Sequence, residues 1–360
     1  MALNQDRSFD GSPSVSILFA DGHADTLILS RYYANEADRL ARVEKCHFIG
    51  HLKEETNACV GLTGCPGSED VEITIMSEHS PETMFKWNKN GLVEIIENPF
   101  KNGKARSESM SRNEPNDEWH LEGEDEEVND HIAQAEQAIE EDCAHGSPNC
   151  DAMPATNLLS IKWGYDDGFL GATGSHADAT AYIQATQLHV QTYFCHDASL
   201  GTKIQLENQG IKHYAGKSLT ASGGSLTDMY GPTAVDLGTA DLMVYMGYDT
   251  DYWGVVGIAW GSVVCVPGLN TYRSSISEWR ETNAEAAIIV AHEMGHNLGM
   301  DHDFNADHVA AGCNDDESGI MSYGQAPYQW STCSKADLQA HYIYTESVWC
   351  MPRKSVNLYS

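Results

Sequence analysis

No stretch of this 360-residue sequence stays apolar for the roughly 20 residues that a membrane-crossing helix needs. The N-terminus, MALNQDRSFDGSPSV, has no basic patch followed by an apolar run, so no export leader is visible in it. Basic side chains are scarce: 21 Lys and Arg stand against 53 Asp and Glu, a formal net charge of −32. Nucleic acid and anionic membrane surfaces both demand basic patches, so neither is an expected partner. Acidity on this scale serves solubility. No internal repeat is visible.

Cysteine is plentiful. Ten cysteines suggest an oxidising compartment, and sequence alone pairs none of Cys59, Cys143, Cys150 and Cys195. The length allows two domains, each able to bury its own core. Residues 14–100 read as β-rich. Val15, Ile17 and Phe19 alternate before the hairpin signal Asp21-Gly22, Leu27 and Leu29 follow, and Val71, Ile73 and Ile75 alternate again. Residues 104–150 change character, with acidic runs at 123–127 and 140–142 and Pro115 between elements, which reads as a solvated linker with a helix at 128–141. From about 154 the pattern becomes strand, helix, strand: Leu158–Trp163, a helix capped by Ser175 with Ile183, Val190 and Phe194 on its stripe, then Lys203–Leu206 and Leu242–Tyr245. The predicted layout is 1–103 a small β domain, 104–153 an acidic linker, 154–354 an α/β domain and 355–360 a tail.

Residues 292–303, HEMGHNLGMDHD, are the most informative segment. His292 and His296 stand four apart, so on a helix they project from one face. Thr282-Asn283-Ala284-Glu285 has the form of a capping box, and Ala284–Ala291 is a largely apolar helix former. Gly299 tolerates the turn that stops the helix and returns His302 as a third imidazole. Three protein ligands leave a fourth tetrahedral position for water, the arrangement of a catalytic Zn2+. Glu293 follows the first ligand and can reach that water without touching the metal. Chance produces the extended pattern in about 2 of 10,000 chains of this composition.

H-E-x-x-H-x-x-G-x-x-H followed by a methionine turn is the metzincin signature, and Ser318–Gly324, with Met321 at its centre, resembles that turn. Asp303, directly after the third histidine, resembles the adamalysin (reprolysin) group; astacins would carry Glu there and matrixins commonly Ser. Gly257-Ile258-Ala259-Trp260 resembles the family's antiparallel edge strand over the cleft, and Cys46–His51 with Cys65 resembles an element of its pro-domains. The resemblance implies a twisted, mostly parallel sheet with a zinc helix, preceded by a β-rich pro-domain that keeps the enzyme latent. It further implies a secreted zinc endopeptidase acting on proteins or peptides, with its leader outside the sequence. Glu293 would be the general base, and Asp303 would tie down the zinc loop. Substrate would add along Gly257–Trp260, with Ser322 and Tyr323 in the pocket wall. Bridges Cys265–Cys350, Cys313–Cys333 and Cys46–Cys65 are implied by the same likeness. Cys143 and Cys150 lie nearest the domain border, but neither sits in the family's switch sequence, and Lys104-Ala105-Arg106 does not match its basic cleavage site. Calcium is not expected, because Ser160 stands where relatives use a glutamate. His308 reads as an ordinary loop residue. The competing reading is a binding or toxin-like module on the same fold, against which the presence of Glu293 argues.

Overall fold

The computed structural model describes residues 4–6, 14–18, 24–33, 46–64, 70–77, 84–88, 93–96, 106–110, 153–248, 255–304, 308, 319–322, 329–345 and 350–351. Strands β1 (Asn4–Asp6), β2 (Ser14–Leu18), β3 (Ala24–Arg31), β4 (His47–Leu52), β5 (Cys59–Thr63), β6 (Asp70–Met76), β7 (Met84–Asn88) and β8 (Val93–Ile95) form one sheet in chain order. Every pair is antiparallel, as short connections between successive strands dictate. The expected alternation holds in β6, where Val71, Ile73 and Ile75 are buried against Leu27, Leu29, Val60 and Phe85. The opposite face is not wet, however: Glu72 and Thr74 are buried as well. That face lies on helices of the following region.

Strand β9 (Arg106–Met110) leads into the second sheet, with β10 (Thr156–Tyr165), β11 (Lys203–His213), β12 (Leu242–Gly247), β13 (Val255–Trp260) and β14 (Ser274–Glu278). Its order is β11-β10-β12-β14-β13-β9. The three pairs from β11 to β14 are parallel, and β13 returns antiparallel to β14. This is a mixed α/β architecture. Helices are α1 (Asp167–Thr173), α2 (His176–Phe194), α3 (Asp197–Leu200), α4 (Gly223–Asp228), α5 (Tyr230–Asp236), α6 (Asn283–Asn297) and α7 (Thr332–Thr345). None of the described helices is long and apolar enough to cross a membrane. The segment 128–141 lies outside the described residues.

Helix α2 starts where Ser175 accepts a hydrogen bond from the Asp178 N–H and is buried on nearly all sides in its second half. Its polar side chains therefore need partners, and they find them in both sheets. The Gln191 amide donates to Ile204 O and its oxygen accepts from Leu206 N. Gln187 accepts from Trp163 and Asn208 and donates to the Tyr32 hydroxyl of the first sheet. His189 is held by Thr63 and Thr74.

Two expectations are corrected here. The first sheet has a core of its own on one face, yet Tyr32, Ile49, Cys59, Met76, Met84 and Ile96 belong to the same core cluster as Leu188, Ile288 and Met321. The two regions do not bury wholly separate cores. The strand Gly257–Trp260 is also not an open edge, because β9 pairs with it in parallel along Arg106–Met110. Residues from the expected linker thus satisfy the N–H and C=O groups that an edge strand leaves unpaired.

Cys265 and Cys350 are bonded, with Cα atoms 5.0 Å apart. Cys59 on β5 is bonded to Cys195 at the end of α2. Cys46 and Cys333 are also in disulfides; Cys65 and Cys313, their expected partners, lie outside the described residues, as do Cys143 and Cys150.

Candidate metal centre and active site

Helix α6 opens with the expected capping box. The Thr282 hydroxyl accepts from Glu285 N at 3.2 Å, and the Glu285 carboxylate accepts from Thr282 N at 3.3 Å. Reciprocal pairing satisfies two orphan donors and sets the first turn. Every residue from Ala286 to Asn297 is buried, so the helix runs through the core rather than over it. His292, Glu293 and His296 are carried inside with it. The helix stops at Gly299, whose φ of +92° suits glycine, and a Cβ there would lie 2.8 Å from the His341 Cβ.

The turn brings His302 back. Its Nε2 lies 3.1 Å from His296 Nε2 and 3.2 Å from His292 Nε2. Carbonyl oxygens can only accept, so His292 Nδ1 donates to Ile320 O at 2.6 Å and His296 Nδ1 donates to Met300 O at 2.8 Å. With Nδ1 protonated, the Nε2 lone pairs of these two rings face the third ring. Burial pushes His292 down to about 4 and His302 to about 2, and holds His296 well below the ordinary imidazole range. Three neutral imidazoles aiming nitrogens at one point repel unless a cation lies between them. Tetrahedral zinc with Zn–N near 2.05 Å separates its ligand nitrogens by about 3.3 Å, close to the spacing found. The donor set therefore fits zinc. Among the described residues this is the one group of three potential ligands close enough to share an ion.

Around this centre the other expected residues take definite places. Glu293 is buried, and its carboxylate lies on the backbone of β13: a Cβ at Gly257 would collide with Oε1 and lie 2.7 Å from Cδ. Gly257, Ile258 and Ala259 pair with Ser277, Ile276 and Ser275 of β14. Trp260 ends the strand, packed against Tyr230 and Tyr272. Met321 is buried with Sδ over Gly295, where a Cβ would come within 2.5 Å. Asp303 accepts from Ser331 Oγ at 2.5 Å and from Ser334 Oγ at 3.4 Å, while its N–H donates to Met321 O at 3.1 Å. It joins the zinc loop, the methionine turn and the start of α7, and burial raises its pKa. The Ser322 hydroxyl donates to Gly319 O inside the turn, and Tyr323 lies outside the described residues.

Two contributors escaped sequence reading. Asn297 donates to Trp260 O at 2.8 Å and Ser274 O at 3.1 Å, pinning the end of α6 to both strands. His308, expected as an ordinary loop residue, contacts His302 O through Nδ1 at 3.0 Å and Asp337 through Nε2 at 3.1 Å. Asn297 directly follows His296 but is no fixed position of the H-E-x-x-H-x-x-G-x-x-H pattern, and His308 carries no motif; only the fold supplies their partners.

Comparison with solved structures finds a chain described as a structure of a chaperone–substrate complex, at 15% identity and a TM-score of 0.36, covering 54% of this chain. This chain spans 34% of the length of that one. So slight a likeness carries no argument. A reprolysin profile of metallo-peptidase family M12 matches residues 156–345, which hold the three histidines, Glu293 and the methionine turn. Members of that family are zinc-dependent, and with more than half of its length matched and a histidine trio of zinc spacing at its centre, this chain belongs to metallo-peptidase family M12.

Proposed function

We propose that this protein is an adamalysin-like metzincin: a secreted zinc endopeptidase, made as a zymogen, that hydrolyses peptide bonds in proteins. One observation carries the reading. Three neutral imidazoles converge at 3.1–3.2 Å beside a buried carboxylate that lies against a sheet strand. His292, His296 and His302 would hold the metal. Bound zinc supplies a Lewis acid that polarises a carbonyl and brings the pKa of water down to ~7.

The remaining work falls to side chains of the chain itself. Glu293 takes the proton of the attacking water and returns it to the departing amine nitrogen. Its contact with Gly257 supports that transfer taking place next to a strand paired with β13. Substrate would pair with β13 by strand addition, where β9 now lies in register from Ser107 opposite Gly257 to Met110 opposite Trp260. Latency then follows from occupancy: β9 must leave before substrate can pair. In this reading 1–103 is a pro-domain, 104–153 the segment to be cut, 154–354 the catalytic domain and 355–360 a tail. Asp303 supports the zinc loop, and Ser322 with Tyr323 borders the pocket for the side chain after the cut. Disulfides in the described residues support an extracellular setting.

A casein or quenched-peptide assay, with and without a chelator, tests the proposal. Hydrolysis that the chelator stops, that zinc restores and that Glu293→Gln abolishes while keeping its zinc is the expected result. Equal rates for wild type and Glu293→Gln would leave a zinc-holding binding module as the better reading.

A further inference from the structure

The eight-stranded sheet meets the metal-binding helix directly. Ala284, in the first turn of α6, donates its backbone N–H to Glu72 of β6 at 3.0 Å, across 212 residues of sequence. The helix's own capping box leaves that donor unsatisfied, because Thr282 accepts from Glu285 N instead. A carboxylate also suits the positive end of a helix dipole. Nearby, the backbone of β5 rests on α2 at Gly61, where a Cβ would strike the Thr192 hydroxyl and lie 3.4 Å from Leu188 O. Thr63 and Thr74 take the two ring nitrogens of His189 at 3.1 and 2.8 Å, on a fully buried imidazole. Gln329 of the segment before α7 donates to Ser77 O at 2.7 Å.

Departure of this sheet would strand a buried histidine and expose apolar surface shared with Leu188, Ile288 and Met321. A covalent link adds to this. The Cys59–Cys195 bridge spans 136 residues and encloses the whole stretch 111–152. Hydrolysis of any peptide bond in that stretch by an outside protease leaves the two pieces joined through sulfur.

We propose that the eight-stranded sheet is a permanent, disulfide-linked part of the mature peptidase, with Glu72 as a positioning residue for the metal-binding helix, and that only β9 is displaced on activation. This rests on the peptidase reading above and assigns the regulation of its site. Activation is then a strand leaving a cleft, not a domain leaving an enzyme.

The test uses the full chain with a site for a sequence-specific protease inserted between residues 115 and 140. After cutting, the expected result is one band on a denaturing gel without reductant, two bands with it, and a single native species retaining one zinc per chain. The double variant Cys59→Ser/Cys195→Ser should give two bands without reductant. Transfer of zinc to a chromophoric chelator should be about fivefold faster or more in Glu72→Ala, and restored in Glu72→Gln, whose amide oxygen still accepts; on peptide, kcat should fall with KM unchanged. Release of the N-terminal piece from the cut, unreduced protein overturns the proposal, as does zinc transfer at the wild-type rate in Glu72→Ala. Should Glu72→Ala not fold, the gel result and Glu72→Gln still decide it. If the bridge and zinc results hold while no peptide is cleaved, the peptidase reading fails and the permanent sheet stands.

Discussion

Replacing Gly257 with alanine isolates the role of Glu293 without touching it. A methyl group built on Gly257 would lie 2.7 Å from Glu293 Cδ and 2.8 Å from Cγ, and would overlap Oε1. Carbon atoms in contact settle near 3.5–4.0 Å, so the glutamate side chain must move by about 1 Å. A displacement of that size at a catalytic group costs about 10²-fold in rate, which is about 2.7 kcal/mol of transition-state stabilisation. The strand itself should tolerate the change, since Gly257 does not have a positive φ and alanine loses less chain entropy than glycine on folding. The histidines are untouched. The expected profile is therefore a kcat lower by about 10²-fold, a KM close to wild type, full zinc content and a melting temperature shifted by no more than a few degrees. Steady-state hydrolysis of a quenched peptide, metal analysis and a thermal melt measure all four. Wild-type kcat in a folded, zinc-replete variant would refute the placement of Glu293 against the edge strand.

Other perturbations test neighbouring parts of the site. Asp303→Ala removes the carboxylate acceptor shared by the half-buried Ser331 and buried Ser334 hydroxyls, which then have only each other as acceptors among the described residues. Urea unfolding should show a loss of about 1–3 kcal/mol, and zinc titration an affinity lower by about tenfold; unchanged zinc affinity would remove Asp303 from the support of His302. Deleting residues 106–110 should raise the peptidase rate of the uncut chain, and an equal or lower rate would show that β9 does not block the cleft. Burial raises Glu72 from 4.5 to about 7, while it faces Lys86, Glu285, Tyr182 and the buried His189. The folded state therefore binds more protons than the unfolded one between those values, so this contribution is full below about pH 4.5 and is lost as pH rises through about 7. Glu72→Gln should gain on wild type over that window by up to about 3 kcal/mol, and parallel stability curves for the two proteins would contradict the assignment.

What could be read from sequence follows the range of the interactions involved. The zinc helix is encoded locally: Thr282 and Glu285 cap it, Ala286 to Ala291 drive it into the core, and the four-residue spacing aligns His292 with His296. Gly299 likewise announces its turn. Asp303 and Met321 could be placed only by likeness to a motif, because their partners Ser331 and Gly295 lie 28 and 26 residues away. The strand β9 was invisible for a different reason. Arg106-Ser-Glu-Ser-Met110 has little intrinsic preference for a strand, and its pairing is imposed by the vacant edge of β13. Glu72 and Thr74 are the opposite case. They alternate with Val71, Ile73 and Ile75 as a wet face should, and only α2 and α6 make that face an interior one.

The same division separates chemistry from access. The candidate metal ligands and the proposed base fall within eleven consecutive residues. Of the ligand rings, His296 is anchored by its near neighbour Met300 while His292 reaches Ile320, so a short sequence carries most of the chemistry. Who may reach them depends on contacts with residues far away in the chain: β9 on the edge strand, Glu72 on the helix start, Cys59 on the end of α2. Changes in β9 can alter latency while leaving the zinc site untouched. The reverse does not hold, because α6 is both the carrier of the ligands and the surface on which the N-terminal sheet rests. A substitution in the apolar run Ala286–Ala291 would therefore disturb chemistry and regulation together, whereas one in β9 would disturb regulation alone.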